Sequence, residues 1–395
     1  MPPAADRPHD LVLFGATGFT GGLTAEYLAR HAPAGTRWAL AGRNQAKLEA
    51  VRDRLVMIDP ALADLPLLHA DVTDEASLRD VAEAARVVIT TVGPYVRYGE
   101  GLVAACAKAG TDYVDLTGEP EFVDRMYVLH HETAERTGAR IVHACGFDSI
   151  PHDLGVLFTV QQLPEGVPLR VRGFVRAGGK PSAGTFHSAV TAFSRVRQAN
   201  AAHAERRRAE PAPPDGRRVS SIKDAGRREG SLGWALPMPT IDPQVVKRSA
   251  AQLDRYGPDF AYGHYVAVRR LPAAVGLVGG VGALFAAAQV PPVRSWLLGR
   301  MSAGDGPSAE QRERGWFKVR FEGEGGGRRV VTEVAGGDPG YDETAKMLAE
   351  SALCLAGDAL PQTAGQVTTA VAMGDALTAR LQRAGITFDV LGPGG

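Results

Sequence analysis

Short apolar runs separated by stretches of helical periodicity mark the first third of the chain. Leu11-Val12-Leu13-Phe14 reads as a buried strand, and the following pattern of Leu23, Tyr27 and Leu28 reads as a helix. Further apolar runs of strand length lie at 38–42, 67–72, 87–92 and 141–145. Strands alternating with helices predict a doubly wound parallel sheet covered on both faces. The pattern changes after Gly146. Residues 169–175 alternate in polarity, as an antiparallel strand with one exposed face does, and 316–323 and 328–334 flank a glycine-rich turn as a hairpin would. Beyond Asp338-Pro339-Gly340-Tyr341, Thr344, Met347, Leu348 and Ala352 share one helix face, expected to return the chain to the first domain. One more helix and a short strand follow, from 369 to 390. The predicted units are an α/β domain at 8–147, a mixed-sheet domain at 148–338 and a C-terminal helical segment at 339–395.

Chemistry enters at Gly15-Ala16-Thr17-Gly18-Phe19-Thr20-Gly21, between the first strand and the first helix. Glycines there permit a tight turn and let a pyrophosphate approach the backbone, while the helix N-terminus offers free N–H groups. This is the first unit of a Rossmann dinucleotide-binding fold. The second run ends in Arg43 with Asn44 beside it, where an NAD-specific fold places an acid on the ribose 2′-hydroxyl. A guanidinium pairs a 2′-phosphate instead, so NADP(H) is the expected cofactor. Asp71 and Val72, ending the third run, are placed to meet the adenine. Gly93 and Pro94, after the fourth, are placed to lie near the nicotinamide.

Composition removes several alternatives. With 44 basic and 44 acidic residues the net charge is zero, which gives no electrostatic case for nucleic acid. The three cysteines, Cys106, Cys145 and Cys354, are scattered without metal spacing or a disulfide framework, which points to a reducing compartment, the cytoplasm, and to no metal. The N-terminus lacks signal-peptide character. The Arg-rich stretch 206–230 has interspersed acids, no aromatic and three prolines, and is expected to be a solvated loop. Residues 271–293 carry no charge, with Arg269 and Arg270 before and Arg294 after. Three readings stand: a membrane span, an interfacial helix touching lipid peripherally, or a buried or homodimer-interface helix in which Gly276 and Gly280 permit close approach.

None of the nine tyrosines has a lysine four residues later, which argues against one common class of carbonyl reduction and leaves conjugated double bonds and imines open. Two polar blocks stand at strand ends, 113–119 and 145–155. Asp148 or Ser149 is suited to cap a helix beginning near Pro151. Tyr95, Ser149, His152 and Thr185 are the candidate catalytic residues, with Tyr98 and Ser182 as further donors, because an enolate needs hydrogen-bond donors or nearby positive charge.

The glycine turn, Ala41-Gly42-Arg43, Asp115-Leu116-Thr117-Gly118-Glu119 and Gly146-Phe147-Asp148-Ser149-Ile150-Pro151 together resemble the saccharopine dehydrogenase-like oxidoreductases, in particular the actinobacterial trans-acting enoyl reductases. The stretches 178–185 and 340–347 share the resemblance. It implies a Rossmann domain, an inserted mixed α/β domain and a C-terminal helix packed back on the first. It also implies NADPH-dependent reduction of a double bond in a polyketide or lipid acyl substrate carried by a separate synthase. Two rivals remain. A saccharopine-type amino-acid or imine oxidoreductase would need fixed cations, which Arg97, Arg172 and Arg176 could supply. A non-catalytic NADP(H)-binding lipid-surface protein would bind cofactor without turnover.

Overall fold

The computed structural model describes residues 6–178, 183–222, 224, 226, 228–229, 232–299 and 306–392. The first domain runs β1 (His9–Phe14), α1 (Phe19–His31), β2 (Trp38–Gly42), α2 (Gln45–Val56), β3 (Leu67–His69), α3 (Glu75–Ala84), β4 (Ala85–Thr90), α4 (Tyr95–Tyr98), α5 (Glu100–Ala109), β5 (Asp112–Asp115), α6 (Pro120–Thr137) and β6 (Arg140–Val142). Local chemistry sets these boundaries. Asn44 and Asp74 accept the backbone N–H groups of Lys47 and Ala76 at the starts of α2 and α3. Gly110 and Gly138 end α5 and α6 in the left-handed conformation. The expected strand at 141–145 stops at Val142. The Asp115 carboxylate takes the Ala144 N–H at 2.9 Å, and Ala144 turns to a φ of 60°.

From α7 (Ile150–Val160) the chain enters the second domain: β7 (Leu169–Gly178), α8 (Ala183–Ser194), α9 (Val196–Ala209), β8 (Arg218–Ser221), β9 (Arg228–Glu229), β10 (Gly233–Pro237), α10 (Asp242–Gln252), β11 (Asp259–Val268), α11 (Leu271–Gln289), α12 (Pro291–Gly299), α13 (Ala309–Glu313), β12 (Trp316–Gly325) and β13 (Arg328–Gly336). The C-terminal region adds α14 (Asp342–Gly357), β14 (Gly365–Val367), α15 (Thr369–Ala372), α16 (Gly374–Arg383) and β15 (Thr387–Leu391).

The first sheet is wholly parallel in the order β14-β6-β5-β4-β1-β2-β3, so its direction of winding reverses between β1 and β4. In such a sheet ligands bind at the carboxyl ends beside that switch point. The second sheet runs β15-β13-β12-β7-β11-β10-β9, with β8 also on β11. Its pairs are antiparallel except β7 with β11 and β8 with β11. The α7 helix packs on its inner face, where Gly155 is obligatory: an added Cβ would stand 2.4 Å from the Phe321 ring.

The C-terminal segment does more than return a helix. α14 lies on α1, with the Tyr27 hydroxyl donating to Glu350 at 2.8 Å, while β14 extends the parallel sheet and β15 extends the mixed one. Stretch 206–230 is mostly exposed among its described residues, but it is not a loop throughout and not all of it is solvated. Arg206 is buried against Asp124 and Glu210, Arg217 is buried and donates to the Ala250 carbonyl, and β8 is a strand. Ion pairing, invisible in local composition, makes those arginines part of the wall.

Candidate active site

Every parallel strand delivers its carboxyl end to one edge, and the nucleotide candidates line it. Gly15 has a φ of 103°, and the Gly18 N–H closes the turn onto its carbonyl at 3.0 Å. A Cβ on Gly21 would meet the Gly15 carbonyl oxygen at 2.1 Å, so α1 can approach the turn only with glycine there. No side chain caps α1 at Gly18. The N–H groups of Phe19, Thr20 and Gly21 therefore have no helical acceptor, the arrangement a pyrophosphate needs. The residues present fit the dinucleotide on this ground. Ala16 is buried and Thr17 exposed, so this part of the turn offers backbone. Phe19 turns its ring away: it packs edge-on to Tyr341 at 4.8 Å, with the Arg312 guanidinium 5.6 Å from its centre. That contact ties the turn to the segment leading into α14.

Arg43 stands exposed at the end of β2, and Asn44 is used as the cap of α2. Asp71 Oδ1 accepts the backbone N–H and hydroxyl of Thr73. Those two bonds, with a smaller contribution from Arg43, hold its carboxyl below the usual range. Val72 is half-buried beside it, and Gly93 and Pro94, joined by a cis peptide bond, follow β4.

The proposed proton donors are placed differently from one another. The Tyr95 hydroxyl donates to the Thr90 carbonyl at 3.1 Å and accepts the Leu116 N–H at 3.2 Å, tying the ends of β4 and β5 together. Burial, then Asp115, push that phenol well above its ordinary value. Glu119 receives the N–H groups of Tyr95 and Val96 at 3.1 and 2.8 Å, so the acid of the 115–119 block anchors α4. Ser149 is fully buried, its hydroxyl lacks a hydrogen-bond partner, and neither it nor Asp148 caps α7 as expected. Thr185 falls at the start of α8, but its side chain, like Ser182, lies outside the described residues.

His152 is buried in a cluster that spacing along the sequence does not announce. Its Nδ1 is 2.6 Å from Asp242 Oδ1, though the two are not aligned as a hydrogen bond. Its ring meets His264 edge-on at 4.9 Å, and His264 Nδ1 is 3.1 Å from the Tyr262 hydroxyl. The ligand atoms of His152, Asp242 and His264 lie within 4.8 Å of one another. The 2.6 Å contact is closer than the roughly 3 Å that separates ligands on metal bonds of about 2.0–2.1 Å. The three side chains, all buried, form an electrostatic network. Burial alone would push the Asp242 carboxyl up, but His152, His264 and the Thr240 hydroxyl outweigh it and hold it low. Burial pushes His264 down to about 4.

Asp148 lies near enough to this cluster to feel the charges of Asp242 and His152. It is half-buried, and its Oδ2 lies 3.0 Å from where a Cβ on Gly118 would stand, so the loops after β5 and β6 converge on it. Burial, then the Asp242 charge, raise its carboxyl to about 6. Of the cations that an amino-acid substrate would need, Arg172 is paired with Asp224 at 2.9 Å and Arg176 lies over the Trp316 ring at 5.8 Å. Asp242 and His264 escaped the sequence reading because 90 and 112 residues separate them from His152.

Residues 11–142 match the saccharopine dehydrogenase NADP binding domain family. A Mycobacterium tuberculosis protein named "Putative trans-acting enoyl reductase" is 41% identical over 416 residues, covering 98% of each chain. The trans-acting enoyl reductase of Mycobacterium ulcerans is 38% identical over 414 residues, covering 97% of this chain and 98% of its own. Saccharopine dehydrogenase (L-Glu forming) of Saccharomyces cerevisiae shares the fold, with a TM-score of 0.53 at 12% identity over 96% of this chain and 99% of its own. The chain is an NADP(H)-dependent oxidoreductase and belongs to the trans-acting enoyl reductase family, within the saccharopine dehydrogenase-like fold.

Proposed function

We propose that the protein reduces a conjugated carbon–carbon double bond in an acyl substrate, presented as a thioester on a polyketide synthase or another acyl carrier. The observation that carries this reading is Asp148, a half-buried acid where the loops after β5 and β6 meet. The full-length relatives' names point the same way.

Bound NADPH supplies hydride to the β-carbon. The N-terminus of α1 and Arg43 would hold its phosphates, and Gly93 and Pro94 would border the nicotinamide. Addition at the β-carbon breaks the double bond and leaves an enolate, whose α-carbon then takes a proton. Asp148 is the group suited to hold that proton. The Asp242 anion opposes ionisation of Asp148, and His152, its partner, sits in the wall as a positioning residue. Afterwards the half-buried Asp148 recovers a proton from solvent. The engagement of Arg172 and Arg176 weighs against the saccharopine-type alternative and leaves it Arg97, exposed at the end of α4.

The test is NADPH consumption with short α,β-unsaturated thioesters, set against a 2-oxo acid plus an amino acid. Oxidation coupled to saturation of the thioester supports the reading. Turnover only with the oxo acid pair, or tight NADPH binding without turnover of any enoyl thioester, overturns it.

A further inference from the structure

The segment at 271–293 forms α11 and the start of α12, and α11 is almost bare. Of its 19 residues only Ala274 and Ala288 are buried. Residues 275–283 are exposed without a break, a run of nine that goes around the whole helix more than twice. Val275 is 63% exposed and Val278 58%. The helix is held to the body near its ends: Ala274 is buried near its start, Phe285 meets Phe193 of α8 at 5.6 Å, and the Gln289 amide donates to the Phe193 carbonyl at 2.7 Å.

The sheet topology excludes a crossing. At 19 residues α11 is roughly 28 Å long, close to the hydrocarbon thickness of about 30 Å. However, the chain leaves the mixed sheet at Val268 in β11 and re-enters it at Trp316 in β12, and both strands lie next to β7. A span would strand residue 290 on the far side. The return path carries Arg294, Arg300, Asp305, Glu310, Arg312, Glu313 and Arg314, and α12 has only nine residues. The helix must approach and leave a membrane from one side.

A second copy would cover one face of α11 and leave the other wet. A lipid phase covers all of it. The charges fit that medium: no acid occurs between residues 260 and 304, while exposed Arg269 and Arg270 stand at one end of the helix and Arg294 beyond the other. Such arginines reach headgroups while the helix rests among acyl chains. We infer that α11 docks the protein peripherally on an anionic lipid surface, lying along it without crossing. This does not depend on the proposed reaction.

Flotation with phosphatidylcholine vesicles, with and without phosphatidylglycerol, tests it. The wild type should float with the anionic vesicles and less with the neutral ones. Val278→Asp/Val281→Asp, at exposed positions, should lower recovery by about tenfold or more. Arg269→Glu/Arg270→Glu should remove the anionic preference. NADPH titration and native mass by light scattering run alongside as controls of fold and assembly. Failure of wild type to float with either vesicle, or equal flotation of the aspartate variant, overturns the inference. So does a solution dimer that the aspartate pair dissociates while vesicles bind neither protein.

Discussion

Replacing Arg43 by alanine removes the guanidinium exposed at the end of β2, at the carboxyl edge where the adenosine half of the cofactor belongs. A charge pair at about 4 Å is worth ~1 kcal/mol in water and ~4 kcal/mol at a protein surface of effective dielectric near 20. Arg43 is exposed, and the Asp71 anion beside it already draws on its charge, so the lower half of that range applies. The expected loss is about 1–2 kcal/mol, or a rise of roughly 5- to 30-fold in the NADPH dissociation constant. NADH, without a 2′-phosphate, should bind the variant as it binds the wild type. Titration of nicotinamide fluorescence with both nucleotides reads this directly. Repeating it at higher salt should shrink the wild-type preference, because exposed charges are screened. Equal weakening of both nucleotides, or of neither, would refute the assignment of Arg43 to the 2′-phosphate.

Three other outcomes follow from the same geometry. Asp148→Asn should lower enoyl turnover by roughly 100-fold or more while leaving NADPH affinity unchanged; in the wild type, turnover should fall as pH rises through about 6, and the variant should lack that limb. The folded Asp148 pKa is raised above its unfolded value, so its stabilising contribution is present at low pH and lost as pH rises through about 6, and the asparagine variant should melt at a higher temperature than wild type above that pH. Gly21→Ala places a Cβ 2.1 Å from the Gly15 carbonyl oxygen, and should cost about 1–3 kcal/mol of stability and most NADPH binding, read by thermal melting and titration. Asp153→Ala should lower the melting temperature through a loss of about 3 kcal/mol, because its buried carboxylate accepts the Ser249 and Thr369 hydroxyls and the Ala370 N–H, joining α7, α10 and the C-terminal segment.

The nucleotide edge was legible in the chain because its chemistry is local. A glycine turn needs consecutive residues, and Arg43 declares itself by standing where an acid would otherwise be. The hairpin of β12 and β13 was legible for the same reason, its period of two interrupted by glycines. The candidate proton-donor side was not. Asp148 reads as a helix cap, and only the fold reveals that α7 starts without it and that Gly118 leaves it room. His152 reads as a lone histidine until Asp242 and His264 close around it. Tyr95 reads as a phenol near the nicotinamide, yet two backbone groups claim its hydroxyl. The 206–230 stretch misleads because Arg206 finds its partners, Asp124 among them, across the fold. Such long-range pairings leave no periodicity to read.

Hydride delivery to the β-carbon of a conjugated acyl chain is what sets the proposed reaction apart from carbonyl or imine reduction. Reduction of an α,β-unsaturated thioester with NADPH deuterated at the transferring position of the nicotinamide, followed by mass and NMR analysis of the product, tests it most directly. The expected product is a saturated thioester carrying deuterium at the β-carbon, with the α-carbon proton drawn from solvent. Deuterium at a carbinol or amine-bearing carbon, or an unsaturated product, would contradict it.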